Sequence, residues 1–400
     1  MAKKVTGAKL PGRGDATHAV HGGEERHGRR APLTTEIVQS SVFVLPKLDD
    51  LRRIANKQDE GYLYTRYANP TIVAAEKKMA ALENGECCVI TASGMAAILC
   101  TFLTLCSAGD EIVSMLDVYG GTLKLCDSVL ARCGIKTHFV PFHEMGNVEK
   151  YFNRKTKLLF LESPTNPILR CVDLAELAKR AHKHGITVVV DNTFATPILQ
   201  KPLDLGADIV VHSATKYLGG HSDVTAGCVV GPKQMVEKAR DVMLTTGGSL
   251  DPGAGYLLLR GLKTLELRML RGGENAARSA ESLARHPRVE KVMYPGLAEH
   301  AGHEIAQRQM RGFGAMVAFE IKNGGKAAER FIDALELWYL ATSLGGVEST
   351  VSYPLLSSHF GMSPERLKWL GVGPATVRLS VGIEDAEDLI ADLNQALTRS

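Results

Sequence analysis

Between Thr187 and Gly227 the chain reads TVVVDNTFATPILQKPLDLGADIVVHSATKYLGGHSDVTAG. An apolar β-branched run, Thr187 to Val190, stops at Asp191. A second, Ile209 to Val211, empties into His212, Ser213, Ala214, Thr215 and Lys216, with Gly219 and Gly220 just behind. Short continuous apolar runs closed by polar and turn residues are the pattern of strands buried on both faces of a parallel sheet. In open α/β sheets ligands bind beyond the carboxyl ends of the strands. A carboxylate and a Ser-x-Thr-Lys cluster therefore fall where a ligand would sit. A lysine amine forms Schiff bases, an acid holds a pyridinium nitrogen, and hydroxyls bind phosphate; together these meet the demands of pyridoxal 5'-phosphate (PLP).

Other residues fit that chemistry. Most lysines after a strand are surface lysines, but Ser213, Thr215 and the Gly-Gly pair outweigh that reading for Lys216. An Asp191 buried at a strand end needs a partner, because an isolated buried charge is costly; a cap is the plainer alternative. At Ser93-Gly94-Met95 a strand turns into a helix, whose N-terminal N–H groups favour a phosphate. Ser-Gly before a helix is often only a cap, yet with Ser213 and Thr215 it forms a convergent set. Arg378 lies in a strand-like run with apolar neighbours, and its planar fork suits a substrate α-carboxylate.

These residues need a scaffold. Four hundred residues exceed one ordinary hydrophobic core. An α/β rhythm begins near Asn69, with strands expected at Cys87–Thr91, Glu111–Met115, His138–Pro141 and Leu158–Glu162. Helices are expected at Thr71–Glu83, from Met95, at Thr122–Cys133 and at Leu174–His184, the last stopped by Gly185. A single helix over Leu257–Asn275 leads to a region with strands at Val289–Tyr294, Gly314–Ile321 and Val377–Val381. The division is an arm over 1–66 with one helix near Asp49–Lys57, a large mostly parallel α/β domain over 67–265, and a smaller α+β domain over 266–400.

Composition narrows the class. Apolar content of 45%, charged content of 23% and a net charge of +3 fit a soluble enzyme and offer no nucleic-acid or membrane surface. The cluster Arg26, Arg29 and Arg30 reads as a solvated or subunit-contacting arm. The uncharged stretch Cys87–Ala108 is better read as a strand, a Ser-Gly turn and a helix than as a membrane span. The eight cysteines show no zinc spacing, so no metal is expected, and reduced thiols in a cytoplasm are expected. The basic N-terminus has no apolar run behind it, which argues against a secretory signal.

The motifs YTRYANPT (64–71), SGMAA (93–97), DVYGGT (117–122), ESPTNP (162–167), VDNTFATP (190–197), SATKYLGGHSD (213–223), SLGG (343–346) and VRLSVGIED (377–385) run in this order. The chain resembles the Cys/Met-metabolism family of fold-type-I PLP enzymes, which includes the cystathionine γ-synthases, cystathionine lyases, methionine γ-lyases and O-acylhomoserine sulfhydrylases. The resemblance implies that Lys216 carries the cofactor and moves protons, and that Asp191 holds the ring nitrogen. Gly94, Met95, Ser213 and Thr215 would hold the phosphate. Tyr119 would stack on the ring and serve as acid, its Gly-Gly allowing close approach. Asn166 would sit at the ring hydroxyl side, and Ser343 beside Arg378 at the substrate carboxylate. Tyr64 and Arg66 would reach the phosphate from a neighbouring subunit, and Tyr64 the substrate too. That requires at least a homodimer, and the resemblance implies a dimer of dimers. His212, His221 and His359 are read as structural.

Which reaction follows is less sharply marked. Acidic residues that often meet the distal amino group of cystathionine in such enzymes are Leu63 and Thr342 here. An arginine often found after the ring-stacking tyrosine is Lys124, and a cysteine typical of methionine γ-lyases is Gly121. The expectation is γ-elimination from methionine, homocysteine or cystathionine to a thiol, a 2-oxo acid and ammonia. The alternative is γ-replacement on an O-acylhomoserine. A catalytically idle relative is disfavoured by Lys216, Asp191, Arg378 and Tyr119 together, and an aspartate-type aminotransferase by the ESPTNP loop and the SATK cluster.

Overall fold

In a computed structural model, residues 12–24, 32–56, 58 and 61–400 are described. The cluster Arg26, Arg29 and Arg30 lies outside them. The helix expected near Asp49–Lys57 is Leu48–Ala55, with Lys57 outside the described residues, and the arm expected to hold one helix holds a second, Asp15–His21.

The short apolar runs become strands. Cys87–Thr91 (β1), Glu111–Met115 (β2), Lys136–Val140 (β3), Thr156–Glu162 (β4), Thr187–Asp191 (β5), Ile209–His212 (β6) and Gly227–Gly231 (β7) form one sheet in the order β1-β7-β6-β5-β4-β2-β3. Strands β2 to β6 pair in parallel, whereas β7 runs antiparallel to β1 and β6. Val188, Val189 and Val190 are all fully buried, as a strand covered on both faces requires. One face carries Val211 and Val229, packed with Ile98 and Phe102 of the helix Gly94–Leu105. The opposite face carries Ile90, Cys228 and Val230, packed with Met79 of the helix Pro70–Leu82 and Leu258 of the helix Pro252–Leu262.

Local signals start these elements. Asn69 accepts from Thr71 N (2.9 Å) ahead of Pro70, and Ser93 accepts from Ala96 N (3.1 Å), so each helix begins on a side-chain cap. The second sheet holds Val289–Met293 (β8), Met316–Ile321 (β9), Tyr339–Leu340 (β10), Thr350–Ser352 (β11) and Thr376–Ser380 (β12), in the order β10-β11-β12-β9-β8. The helix Leu265–Arg285 joins the two cores: Leu265 and Met269 pack into the first, Ala276, Ala280 and Leu283 into the second.

Several expectations shift. The helix expected over Leu257–Asn275 is two helices, broken at Lys263–Thr264. Arg268 donates to the carbonyls of Gly261 (2.7 Å) and Tyr217 (2.6 Å) there, and Gly261 lies flat against Gly219, so the turn after Lys216 sits in the break. The helix expected over Thr122–Cys133 starts at Gly120 and widens into a π-turn at Leu125–Leu130. Strands β7, β10 and β11 are not expected from the sequence: β7 has five residues with glycine at each end, and β10 and β11 have two and three, all too short to show periodicity. No helix among the described residues is long and apolar enough to cross a membrane.

Candidate active site

Strands β4, β5 and β6 end side by side at Glu162, Asp191 and His212. Beyond them opens a cavity of about 550 Å³. Its wall contains Gly94, Met95, Tyr119, Asn166, Asp191, Ser213, Thr215, Lys216, Ser343 and Arg378. Tyr64 and Arg66 do not line it. Tyr64 is 40% exposed, and Arg66 donates to Leu244 O (2.7 Å) while lying 5.7 Å and 4.8 Å from the Tyr64 and Tyr67 ring centres.

Lys216 is half-buried, and its Nζ donates to Ser343 Oγ at 2.5 Å. Burial and the like charge of Arg378 bring its amine down to about 8. Ser343 sits at φ +81°, a left-handed conformation uncommon for serine. Its carbonyl accepts from Arg378 Nη2 (2.9 Å), so one residue touches both cations. Arg378 also donates from Nη1 to Asn166 Oδ1 (2.7 Å), while its Nε has no partner. Burial brings its guanidinium down to about 10, leaving it charged at neutral pH beside the cavity.

Asp191 Oδ1 accepts from Thr193 N (3.0 Å) and Thr193 Oγ1 (2.5 Å). The same Thr193 hydroxyl accepts from Ser213 N (2.9 Å) and ties the two strand ends together. Glu162 uses both oxygens on backbone, accepting from Tyr119 N (3.0 Å) and Asn166 N (3.1 Å). Burial pushes both carboxyls up, and Glu162 is raised further by Asp191. Neither Glu162 nor Thr193 was singled out from sequence. An Asp-x-Thr turn after a strand was a usable signal for Thr193, whereas a carboxyl that holds remote backbone leaves none.

At the other end Gly94 opens a helix of twelve residues. A Cβ at Gly94 would meet Ser213 Cα at 2.8 Å, so glycine lets the helix N-terminus approach the Ser213–Thr215 turn. Tyr119 is 45% exposed in the cavity wall. A Cβ on Gly121 would lie 2.4 Å from its ring, so glycine there leaves the ring its place.

A family model described as Cys/Met metabolism PLP-dependent enzyme matches residues 16–398. The chain belongs to this family. Within it, the chain is 44% identical over 389 residues to L-methionine gamma-lyase of Fusobacterium nucleatum subsp. polymorphum, covering 96% of this chain and 98% of that protein. It is 44% identical over 382 residues to cystathionine gamma-lyase of Bacillus subtilis (strain 168), covering 95% and 98%. The crystal structure of cystathionine gamma synthase from Xanthomonas oryzae pv. oryzae in complex with aminoacrylate and cysteine superposes with a TM-score of 0.90 at 39% identity, covering 97% of this chain and 98% of that one.

The residues present fit the family's cofactor. Burial pushes the carboxyls of Asp191 and Glu162 up, and a pyridinium N–H at Asp191 would add a cation that favours its charged form. The helix N-terminus at Gly94 offers N–H groups for a phosphate and Ser213 a hydroxyl beside it, whereas the Thr215 hydroxyl, also in the wall, donates to Ala226 O (3.1 Å) and accepts from Ala226 N (3.0 Å). Lys216 and Tyr119 line the space between these ends. Among the described residues no group of His, Cys, Asp and Glu is placed to hold a metal ion.

Proposed function

We propose that the chain is a PLP-dependent carbon–sulfur lyase that carries out γ-elimination on a short, neutral sulfur amino acid such as methionine or homocysteine. One observation carries this reading. The charged side chains in the cavity wall are Glu162, Asp191, Lys216 and Arg378, and all four serve the cofactor and α-carboxylate end. The remaining wall, with Thr342, Leu344, Leu356 and Phe360, carries no charge for a distal amino or carboxylate group.

Bound PLP supplies an electron sink for the substrate Cα. The chain's residues do the rest. Arg378 and Ser343 would hold the α-carboxylate, Asp191 would keep the ring nitrogen protonated, and Asn166 would meet the ring hydroxyl. The amine of Lys216, brought down to about 8, takes protons from Cα and Cβ near neutral pH. Tyr119 delivers a proton to the leaving sulfur. Tyr64 and Arg66 act from a second copy of the chain. That neither lines the cavity of its own chain supports this, as does the exposed apolar arm around them, where Val42, Val44 and Leu48 are 61%, 96% and 63% exposed. A dimer of such dimers is the proposed assembly. Eight free cysteines suit a reducing cytoplasm.

γ-Replacement on an O-acylhomoserine is the second reading, and an observation favours it. Leu356 and Phe360 at the cavity wall are 68% and 74% exposed, so a second small thiol can enter. Purified holoenzyme separates the two. With L-methionine or L-homocysteine alone, 2-oxobutanoate should form at least about tenfold faster than any thioether from O-acylhomoserine with cysteine. Efficient condensation with slow oxo-acid release would make the chain a synthase. Mixed oligomers of Lys216→Ala and Arg66→Ala chains should regain part of the activity, and no recovery at all would refute the shared site.

A further inference from the structure

Behind the site lies a buried ionic cluster that the reaction does not touch. In the pairing of β5 with β6, Asp191 stands opposite Val211, and Val211 packs on the face covered by the helix Gly94–Leu105. The next residue on each strand path turns to the reverse face. There His212 pairs with Cys228 of β7, which packs with the helix Pro70–Leu82. Asn192 follows Asp191 and donates from its backbone N to Val211 O (3.0 Å).

Glu83 gathers these two side chains. Its Oε1 pairs with His212 Nε2 at 2.6 Å and accepts from Asn192 Nδ2 at 2.9 Å. The side chains of Glu83 and His212 are fully buried, and Asn192 is too. Glu83 caps the C-terminus of the helix Pro70–Leu82, where the helix dipole disfavours a carboxylate. Its Oε2 has no partner. A charged carboxylate in that place needs a cation, and the imidazole beside it, whose Nδ1 has no hydrogen-bond partner, is the group that can become one.

We propose that the Glu83–His212 pair is a positioning device for the cofactor: an imidazolium held behind the strand ends keeps Asp191 ionised, and Asn192 fixes the backbone that presents it. This rests on the reading that Asp191 holds the ring nitrogen. Burial alone lowers the imidazole, but Cys228, Glu83 and Asp191 around it hold it up at about 9. Cys88, whose thiol faces Cys228, is the remaining titratable group of the cluster. On the cavity side burial pushes Asp191 up, and Glu162 adds a second carboxyl beside it. Against these stand the two hydrogen bonds from Thr193 and, after them, the positive charge of His212, each of which favours the Asp191 anion. A neutral Asp191 accepts poorly from a ring N–H and ceases to hold the sink protonated.

The test uses full-length holoenzyme reconstituted with PLP labelled with 15N at the ring nitrogen. His212→Gln keeps a donor for Glu83 without the charge, and Glu83→Gln keeps an acceptor for His212 without the counter-ion. In both variants the ring nitrogen should lose its proton about one pH unit lower, a tenfold change in its protonation equilibrium, and PLP should dissociate about tenfold more readily. His212→Leu fills the space without a charge and should behave like His212→Gln. A ring nitrogen and PLP affinity unchanged in His212→Gln and Glu83→Gln, with both altered in Asp191→Ala, would overturn the proposal. Both unchanged in Asp191→Ala as well would overturn the Asp191 reading itself. Should these variants not fold, 15N-histidine spectra of the unmodified holoenzyme decide: an imidazolium at pH 7 supports the device, and a neutral His212 ring sinks it.

Discussion

Lys78 and Lys216 are both drawn out of water, under opposite circumstances. Lys78, on the helix Pro70–Leu82, has no exposed side-chain surface, and its Nζ donates to Ala19 O (2.8 Å), Val20 O (3.1 Å) and Glu24 Oε1 (2.7 Å). Three ammonium donors meet three acceptors, one of them a counter-charge. Lys216 has one hydrogen bond, to Ser343, and the charge that acts on it is Arg378, of the same sign. Burial lowers both amines. At Lys78 the carboxylate of Glu24 resists both burial and the like charge of Lys263, and at Lys216 nothing resists, so the amine reaches about 8. A buried lysine with its partners supplied ties the N-terminal segment to the core. A partly buried lysine beside a like charge has a reactive free base near neutral pH.

The largest effects should fall on these two residues in opposite assays. Lys216→Ala should cut turnover by about 10⁴-fold or more and leave the thermal midpoint nearly unchanged, since it removes one hydrogen bond at a cavity wall. Lys78→Ala leaves the carbonyls of Ala19 and Val20 without this donor and Glu24 with Lys263 alone, so it should cost about 3 kcal/mol of stability with turnover per folded molecule preserved. Thermal unfolding and steady-state kinetics on both variants decide it. If Lys78→Ala abolished turnover while remaining as stable as the parent, the division between structural and reactive lysine would fail.

The same contrast explains what the sequence made legible. Lys216, Asp191, Ser213, Thr215, Gly94 and Tyr119 announce themselves because each follows a strand or opens a helix, where polar residues break an apolar run. The structure brings them to one cavity together with Asn166, Ser343 and Arg378. What stayed hidden depends on contacts distant along the chain. Glu162 ends a strand like any loop acid, and its hold on Tyr119 N exists only after β2 and β4 have paired. His212 reads as a structural histidine until Glu83 arrives from another helix. The fold shows the same limit. The parallel strands were legible from their β-branched runs, whereas the break at Lys263–Thr264 follows from Arg268 reaching back to Gly261 and Tyr217, which local periodicity does not encode.

Two arginines extend the contrast to smaller effects. Arg268 and Arg378 are 7% and 4% exposed, and burial brings both guanidinium groups down to about 10. Arg268 spends its donors on Tyr217 O, Gly261 O and Thr264 Oγ1, away from the cavity. Arg378 keeps Nε free of protein partners and borders the cavity. Arg378→Met should therefore raise KM about 10- to 100-fold through loss of a charged hydrogen-bonding pair with the α-carboxylate, while Arg268→Met should lower stability and leave KM alone. The same variant reports on Lys216. The folded amine lies below its usual 10.5, so its neutral fraction at pH 7 exceeds that of a free lysine. Removing the like charge moves the amine upward, short of 10.5 because burial remains, and the neutral fraction at pH 7 falls. Capture of added PLP by cofactor-free protein requires the neutral amine. Its rate should rise with pH through about 8 in the parent and at higher pH in Arg378→Met. A curve that stayed in place or moved lower would mean that Arg378 does not govern Lys216, and burial alone would have to account for its reactivity.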